Sequence, residues 1–240
     1  LHGFESTSTT YTSSSSNDAT ASGTISTGAS GIVGNAWDFG GGKVTTSHQL
    51  LPVSSDYTLS TWVNLDTNPS SGILVRVSPN TEFELWTAAL GLSYEGTAGN
   101  ELIELTGDLS AGTWYNVVLV HSASGDAVYL NGVSKSTDAI NTIPTSSIWF
   151  LGGRENTNDT LDGRMDQMAV WSVALSPSQV ASLYSSPATL PNVSDLISHY
   201  DFEQTGTTLE DTSITSTVTT LSDKSTNSVN IIYPTITATI

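Results

Sequence analysis

The amino-acid sequence predicts an all-β fold: an antiparallel β-sandwich with one short helix on its C-terminal side and a β-prone C-terminal extension. Three observations carry this. Short apolar segments rich in β-branched and aromatic residues recur at regular spacing, with Gly, Asn and Pro turns between them, as at Asn68-Pro69 and Pro79-Asn80. The pair Asn131-Gly132 separates two such segments, and both residues tolerate the positive φ that a type I′ hairpin demands. The apolar period then lengthens to a helical one over residues 175–184.

Taken in order, residues 1–5 read as an opening strand. The tract 6–30 is rich in Ser, Thr and Gly with little apolar content and in isolation reads as disordered. In residues 34–44, Trp37 and Phe39 alternate with Asp38, so the two rings share a face and the carboxylate points away. Residues 57–64, 72–77, 83–86, 90–94 and 102–105 continue the series of strands. Residues 114–121 are apolar on both faces, which places them centrally in a sheet. Residues 127–133 follow with the hairpin pair, and residues 148–153 and 165–171 read as two more strands. In the helix Ser176 is the N-cap, Pro177 takes the first helical position and Gln179 completes a capping box. Val180, Leu183 and Tyr184 make its apolar stripe.

Beyond Tyr184 the character changes. Residues 185–191, with Pro187 and Pro191, read as a linker. His199-Tyr-Asp-Phe-Glu-Gln-Thr205 then echoes His2-Gly-Phe-Glu-Ser-Thr7, each with a Phe-Glu pair just beyond a histidine. Residues 187–240 therefore read as a linker and an extension that resembles the start of a second repeat. Either this tail packs on its own domain or is a truncated repeat, or its β-prone segments 229–233 and 235–240 pair with an edge strand of a neighbouring copy.

A family resemblance rests on quoted residues. Gly-Thr-Trp-Tyr-Asn-Val-Val-Leu-Val-His121, Val-Tyr-Leu-Asn-Gly-Val133 and Leu-Asp-Gly-Arg-Met-Asp-Gln-Met-Ala-Val-Trp171, followed by the capped helix, resemble the laminin G-like, concanavalin A-like family. Tyr-Thr-Leu-Ser-Thr-Trp-Val63 is similar to another of its signatures. The match spans roughly residues 1–186 and implies a jelly-roll sandwich there, with a long first loop and a short strand at residues 23–26 in the tract that composition alone reads as disordered. The same sandwich hosts lectins, adhesion modules and glycosidases, so it implies fold more than activity. Many members hold a structural ion between the first and last strands; the resemblance implies Glu5 and Asp166 as the matching carboxylates, with calcium as the ion that suits such oxygen donors. A second cluster, Asn156, Asn158, Asp159 and Asp162, falls in a loop where family ligand sites often sit; Asp159 and Asp162 are its candidate metal ligands, and Asn156 and Asn158 candidate ligand contacts. The alternative for that loop is a turn using Asn and Asp for their tolerance of left-handed backbone.

Composition limits the partners. Six Lys and Arg oppose 23 Asp and Glu, a formal charge of −17 that repels nucleic acid and anionic lipid. Ser and Thr supply most of the polarity, as in secreted or particle-surface β proteins. There is no cysteine, hence no disulfide, thiol catalysis or thiolate metal site. No apolar run approaches the roughly 20 residues that span a bilayer, so membrane insertion is not expected. The chain begins at Leu1 without Met, signal peptide or basic n-region, which reads either as a processed mature form or as an expressed segment of a longer chain.

Catalysis has a weak candidate. Glu82 and Glu84 share a strand face roughly 6.5–7 Å apart, within reach of inverting glycoside hydrolysis, but the third carboxylate of the related glucanase strand is missing, with Trp86 and Thr87 in its place. For sugar stacking, Trp86, Tyr94 and Trp149 lie in strands that could line a concave sheet, whereas Trp37, Trp62 and Trp114 read as core. The four histidines, His2, His48, His121 and His199, form no metal-ligand spacing. The sequence is thus read as a non-enzymatic extracellular, cell-surface or virion-surface module that binds a glycan or cell-surface ligand, with structural calcium. The alternative is a self-assembling fibre, sheath or virion-surface subunit joined through residues 187–240, and a glycosidase is third.

Overall fold

Alternation of side chains decides where each strand can go, and the computed structural model describes residues 4–12, 18–46, 56–67, 72–78, 83–88, 91–95, 101–105, 109–138, 148–153, 160–213, 215–223 and 230–237. The first strands are β1 (Phe4–Thr12), β2 (Ala19–Ser22), β3 (Ile25–Ser30), β4 (Asn35–Gly40) and β5 (Lys43–Thr46). They are followed by β6 (Tyr57–Leu65), β7 (Gly72–Ser78), β8 (Phe83–Ala88), β9 (Gly91–Glu95) and β10 (Glu101–Leu105). Next come β11 (Trp114–Ser122), β12 (Gly125–Leu130), β13 (Val133–Asp138), β14 (Ile148–Leu151), β15 (Asp162–Trp171) and helix α1 (Pro177–Ser185). The chain continues through β16 (Leu196–Tyr200), β17 (Thr208–Leu209), β18 (Thr215–Asp223) and β19 (Asn230–Thr237).

Two large antiparallel sheets face each other. One runs β10-β9-β8-β7-β14-β5-β2-β17, the other β13-β12-β11-β6-β15-β4-β3 with β16 joined to β15. Val44, Leu74, Val75, Trp149 and Leu151 from the first meet Trp37, Phe39, Leu59, Val63, Val117, Leu119 and Met165 from the second, forming the inter-sheet core. Each such side chain stabilises the fold by roughly 1.5–3 kcal/mol when fully buried. The second sheet is also covered on its outer face, where Val180 and Leu183 of α1 pack with Val118, Val120, Ala169 and Trp171. This double burial is why all nine residues of β6 are buried and why β11 is apolar on both faces.

The local signals are realised. Asn131 and Gly132 have φ of +52° and +76°, and Leu130 pairs with Val133 across them. The Ser176 N–H donates to Gln179 Oε1 at 2.9 Å and the Gln179 N–H to Ser176 Oγ at 3.4 Å, which closes the capping box. Tyr184 of the helical stripe stacks on Trp62, ring centroids 5.8 Å apart.

The tail is where structure and sequence reading part. The sandwich does not end at residue 186: Leu190 joins the outer cluster, and Tyr200, Phe202 and Leu209 are fully or almost fully buried in sandwich clusters. β16 pairs with β15, and β17 pairs with β2. β1, read from sequence as the opening strand of the sandwich, instead pairs with β18 along its whole length, from Phe4 opposite Asp223 to Thr12 opposite Thr215. β19 pairs with β18 of the same chain, giving the three-stranded order β1-β18-β19.

Candidate functional site

β15 changes partner midway along one edge. Its first part pairs with β4, from Asp162 opposite Gly40 to Met165 opposite Trp37, and its last part with β16, from Met168 opposite Tyr200 to Trp171 opposite Leu196. Between the two lies a bulge. Asp166 faces Trp62 of β6 but Ala169 faces Ser60, so β15 carries one extra residue there, and Gln167 takes φ of +48°. Met165 points into the inter-sheet core, so alternation turns Asp166 to the opposite face.

Asp166 is completely buried there. Its Oδ2 accepts the N–H groups of Ile32, at 2.9 Å, and Val33, at 3.0 Å. Those donors belong to a turn closed by the Gly31 N–H on the Gly34 carbonyl at 3.0 Å. Gly31 is required for this approach, because a Cβ would collide with Asp166 Oδ2 and the Asn35 carbonyl. From the other side comes Glu203, whose Oε1 accepts the Asn35 N–H at 3.0 Å and whose Oε2 accepts Asn35 Nδ2–H at 2.9 Å. Burial pushes the Asp166 carboxyl up to about 7, against the N–H groups of Val33, Gln167 and Ile32, and the charge of Glu203 pushes the same way as burial. Asp166 Oδ1 has no hydrogen-bond partner among the described residues.

The segment that carries Glu203 is held tightly. Phe202 is fully buried with φ of +59°, its ring edge-on to Trp37 at 6.0 Å, and the Trp37 indole N–H donates to the Gln204 carbonyl at 2.9 Å. His199 Nε2 lies 3.1 Å from Gln167 Oε1, its Nδ1 lies 2.9 Å from Thr212 Oγ1, and its backbone N–H donates to Asp211 Oδ1 at 2.9 Å. Burial lowers the pKa of this imidazole, with Asp201 and Asp211 opposing.

A buried carboxylate with one idle oxygen beside a second carboxylate is an all-oxygen donor set. Hard cations such as calcium prefer that chemistry. Among the described residues no group of three or more His, Cys, Asp or Glu comes together, so carbonyls and water would have to complete such a shell.

The sequence paired Asp166 with Glu5, and the structure corrects this. Glu5 stands opposite Ser222 in the three-stranded sheet, because the second Phe-Glu copy fills the place beside β15 and supplies Glu203 instead. The echo between the copies was visible in sequence; which one fills the place was not. Asp162 is exposed, four residues or ~13 Å along β15 from Asp166, and takes a hydrogen bond from Thr67 Oγ1. Asp159, Asn156 and Asn158 lie outside the described residues, as does Glu82. Trp149 is fully buried in the inter-sheet core, which removes it from the sugar-stacking set. Trp86 stands opposite Ser93 and Tyr94 opposite Leu85 on the neighbouring strands β8 and β9, so the two hold register positions on opposite faces of that sheet. Nothing in the sequence signalled the left-handed Gln167 or the bulge.

These features define a two-sheet sandwich with a buried carboxylate, Asp166, beside a half-buried one, Glu203, at a break in one sheet. The chain belongs to the concanavalin A-like lectin/glucanases superfamily, whose laminin G-type model matches residues 38–181, more than half of its 240 residues. Among solved structures, domain 4 of AbnA, a GH43 extracellular arabinanase from Geobacillus stearothermophilus in complex with arabinotriose, is similar at 21% identity and TM-score 0.55, over 69% of this chain and 87% of that one. The binding domain of botulinum neurotoxin DC in complex with rat synaptotagmin II is similar at 15% identity and TM-score 0.57, over 71% of this chain and 47% of that one. The receptor binding domain of botulinum neurotoxin D matches at 14% identity and TM-score 0.58, over 72% of this chain and 49% of that one. This chain thus spans about half the length of the neurotoxin domains. These likenesses are of fold. No curated protein sequence matches, and no helix of the described residues is long and apolar enough to cross a membrane.

Proposed function

We propose that this chain is a non-catalytic, extracellular or surface-exposed recognition module that binds a glycan or cell-surface ligand, with calcium in a structural role between Asp166 and Glu203. The observation that carries the calcium reading is the idle Oδ1 of a fully buried Asp166 beside a second carboxylate. An unpartnered buried polar oxygen is costly, and a cation bonded by both carboxylates offsets that cost. Bound there, the ion would supply positive charge that ties β15 to the segment after β16. The turn of residues 31–34 would keep Asp166 oriented through Ile32 and Val33, and Asn35 would orient Glu203. The recognition reading draws on superfamily membership and on the arabinotriose-bound and receptor-binding domains that share the fold. Trp86 is the aromatic candidate for stacking a sugar ring, because Tyr94 pairs with Leu85 and Leu85 with the core residue Val75, which puts the register position of Tyr94 on the core face of that sheet and that of Trp86 on the other.

Two measurements test this. Calcium at millimolar concentration should raise the melting temperature and chelator lower it, with the shift abolished in Asp166→Ala. A parent whose melting is indifferent to both calcium and chelator refutes the metal reading. A glycan array that includes arabino-oligosaccharides should give calcium-tolerant binding that Trp86→Ala weakens at least tenfold; a blank array refutes the glycan reading.

A further inference from the structure

The Phe-Glu repeat is longer than its core. Phe202-Glu-Gln-Thr-Gly-Thr-Thr-Leu209 aligns without a gap on Phe4-Glu-Ser-Thr-Ser-Thr-Thr-Tyr11, with Phe, Glu and three Thr identical and an apolar residue at the last position of each. The structure shows what the sandwich uses from the second copy. Phe202 fills a core position against Trp37, and Glu203 accepts both Asn35 donors. The carbonyls of Gln204 and Thr207 accept the Trp37 indole N–H and the Ala21 N–H, at 2.9 and 2.7 Å. Thr208 and Leu209 pair with Thr20 and Ala19 of β2, and Leu209 is fully buried. The first copy presents every one of these groups: Phe4, Glu5, the main-chain carbonyls of Ser6 and Thr9, Thr10, and the apolar Tyr11. Yet it lies elsewhere, paired with β18.

We propose that residues 4–11 and residues 202–209 compete for this one slot in the sandwich, so that the chain carries two interchangeable plugs for a single socket. Chain length permits the exchange. Seated like its counterpart, Tyr11 would stand opposite Ala19 and Thr10 opposite Thr20, and residues 12–18 would close an antiparallel hairpin onto β2 across the ~5 Å that separates paired strands. The displaced copy is then released, with β16 detached from β15, as a free strand able to fill the socket of a second copy of this chain. Phe202 holds φ of +59°, backbone strain for a bulky residue that sits at the pivot of the exchanging segment.

The absence of cysteine from the 240 residues allows trapping in the intact 240-residue chain. Strand partners lie within disulfide range. Thr20→Cys/Thr208→Cys reports the second copy in the socket, and Thr10→Cys/Thr20→Cys reports the first. Both pairs should crosslink within the monomer on mild oxidation. Phe202→Ala should raise the Thr10–Thr20 crosslink several-fold and leave melting within a few degrees of the parent, whereas Phe4→Ala/Phe202→Ala should lose cooperative unfolding. The proposal is overturned if Thr10→Cys/Thr20→Cys never crosslinks on either background, or if Phe202→Ala alone is as damaging as the double variant. A crosslink found only as a disulfide-bonded dimer overturns closure within one chain.

Discussion

Gly34→Ala is the sharpest probe of the carboxylate pair, because a control of matched backbone exists at Gly28. Both glycines have left-handed backbone, φ of +57° at Gly34 and +77° at Gly28, but a Cβ at Gly28 meets nothing within 4 Å. Gly28→Ala therefore carries only the conformational term, about 1–2 kcal/mol. At Gly34 the added methyl would land on Glu203 Oε1. The carboxylate is the far end of a flexible side chain and can swing away, but in doing so it gives up the Asn35 N–H and Nδ2–H bonds. Hydrogen bonds to a charged group contribute about 1.5–3 kcal/mol each, so, allowing for rehydration of Asn35, the extra loss is about 2–4 kcal/mol. Gly34→Ala should thus cost about 3–6 kcal/mol in total. Gly34→Asn separates the two terms, since Asn accepts the left-handed backbone but brings the same Cβ. It should recover about 1 kcal/mol and no more. Urea unfolding followed by tryptophan fluorescence measures all three variants, and the calcium-dependent melting shift should shrink in the two Gly34 variants alone. If Gly34→Ala is no worse than Gly28→Ala, Glu203 does not sit against that turn and the carboxylate pair does not exist.

Two other outcomes follow from the same geometry. Burial lowers the His199 pKa below its ordinary 6.5 in the folded chain, with Asp201 and Asp211 opposing and Gln167 and Thr212 holding the neutral ring. Above pH 6.5 both folded and unfolded chains carry it neutral and its contribution is whole; as pH falls below 6.5 the unfolded chain takes up the proton first, and stability declines until the folded pKa is reached. The difference in unfolding free energy between pH 7.5 and 5.5 should be smaller in His199→Gln than in the parent, and equal differences would refute the assignment. Ser176→Ala removes the side-chain half of the α1 capping box and should cost about 1 kcal/mol in urea unfolding, with Gln179→Ala adding less than its own single effect because the two bonds are reciprocal.

Legibility in sequence followed the range of the interactions. The hairpin at Asn131-Gly132 and the cap at Ser176 rest on groups within three residues of each other, and both could be read directly. The alternation of Trp37, Asp38 and Phe39 was equally local: the rings enter the core, and Asp38 pairs in register with Arg164. Trp149 was not legible, because a strand aromatic looks the same whether its face meets the opposite sheet or solvent. β2, β17 and β18 were missed because two of them are only four and two residues long and all are rich in Ser, Thr or Ala, so none shows an apolar period. Asp166 was found through its motif, but its neighbour was misassigned. Glu5 and Glu203 sit in nearly identical local sequences, and the choice between them is made by partners such as Asn35, 168 residues from Glu203.

The break in β15 explains why the two proposals meet at one place. A continuous strand along that edge would have covered β15 with ladder hydrogen bonds and left no room for a carboxylate. Instead β4 begins at Asn35 and β16 ends at Tyr200, and the bulge at Gln167 lets Asp166 turn into the gap between them. Whatever segment follows the β16 position must bring its own Phe to reach the core beside Trp37 and its own Glu to face Asp166. A cation held by that pair would therefore bind the socket and the plug together, and would do so with Glu203 or Glu5 alike. Calcium on this account would set how firmly a plug is seated, while the copy that is seated would set which of the two segments, 4–11 or 202–209, is left free for a neighbour.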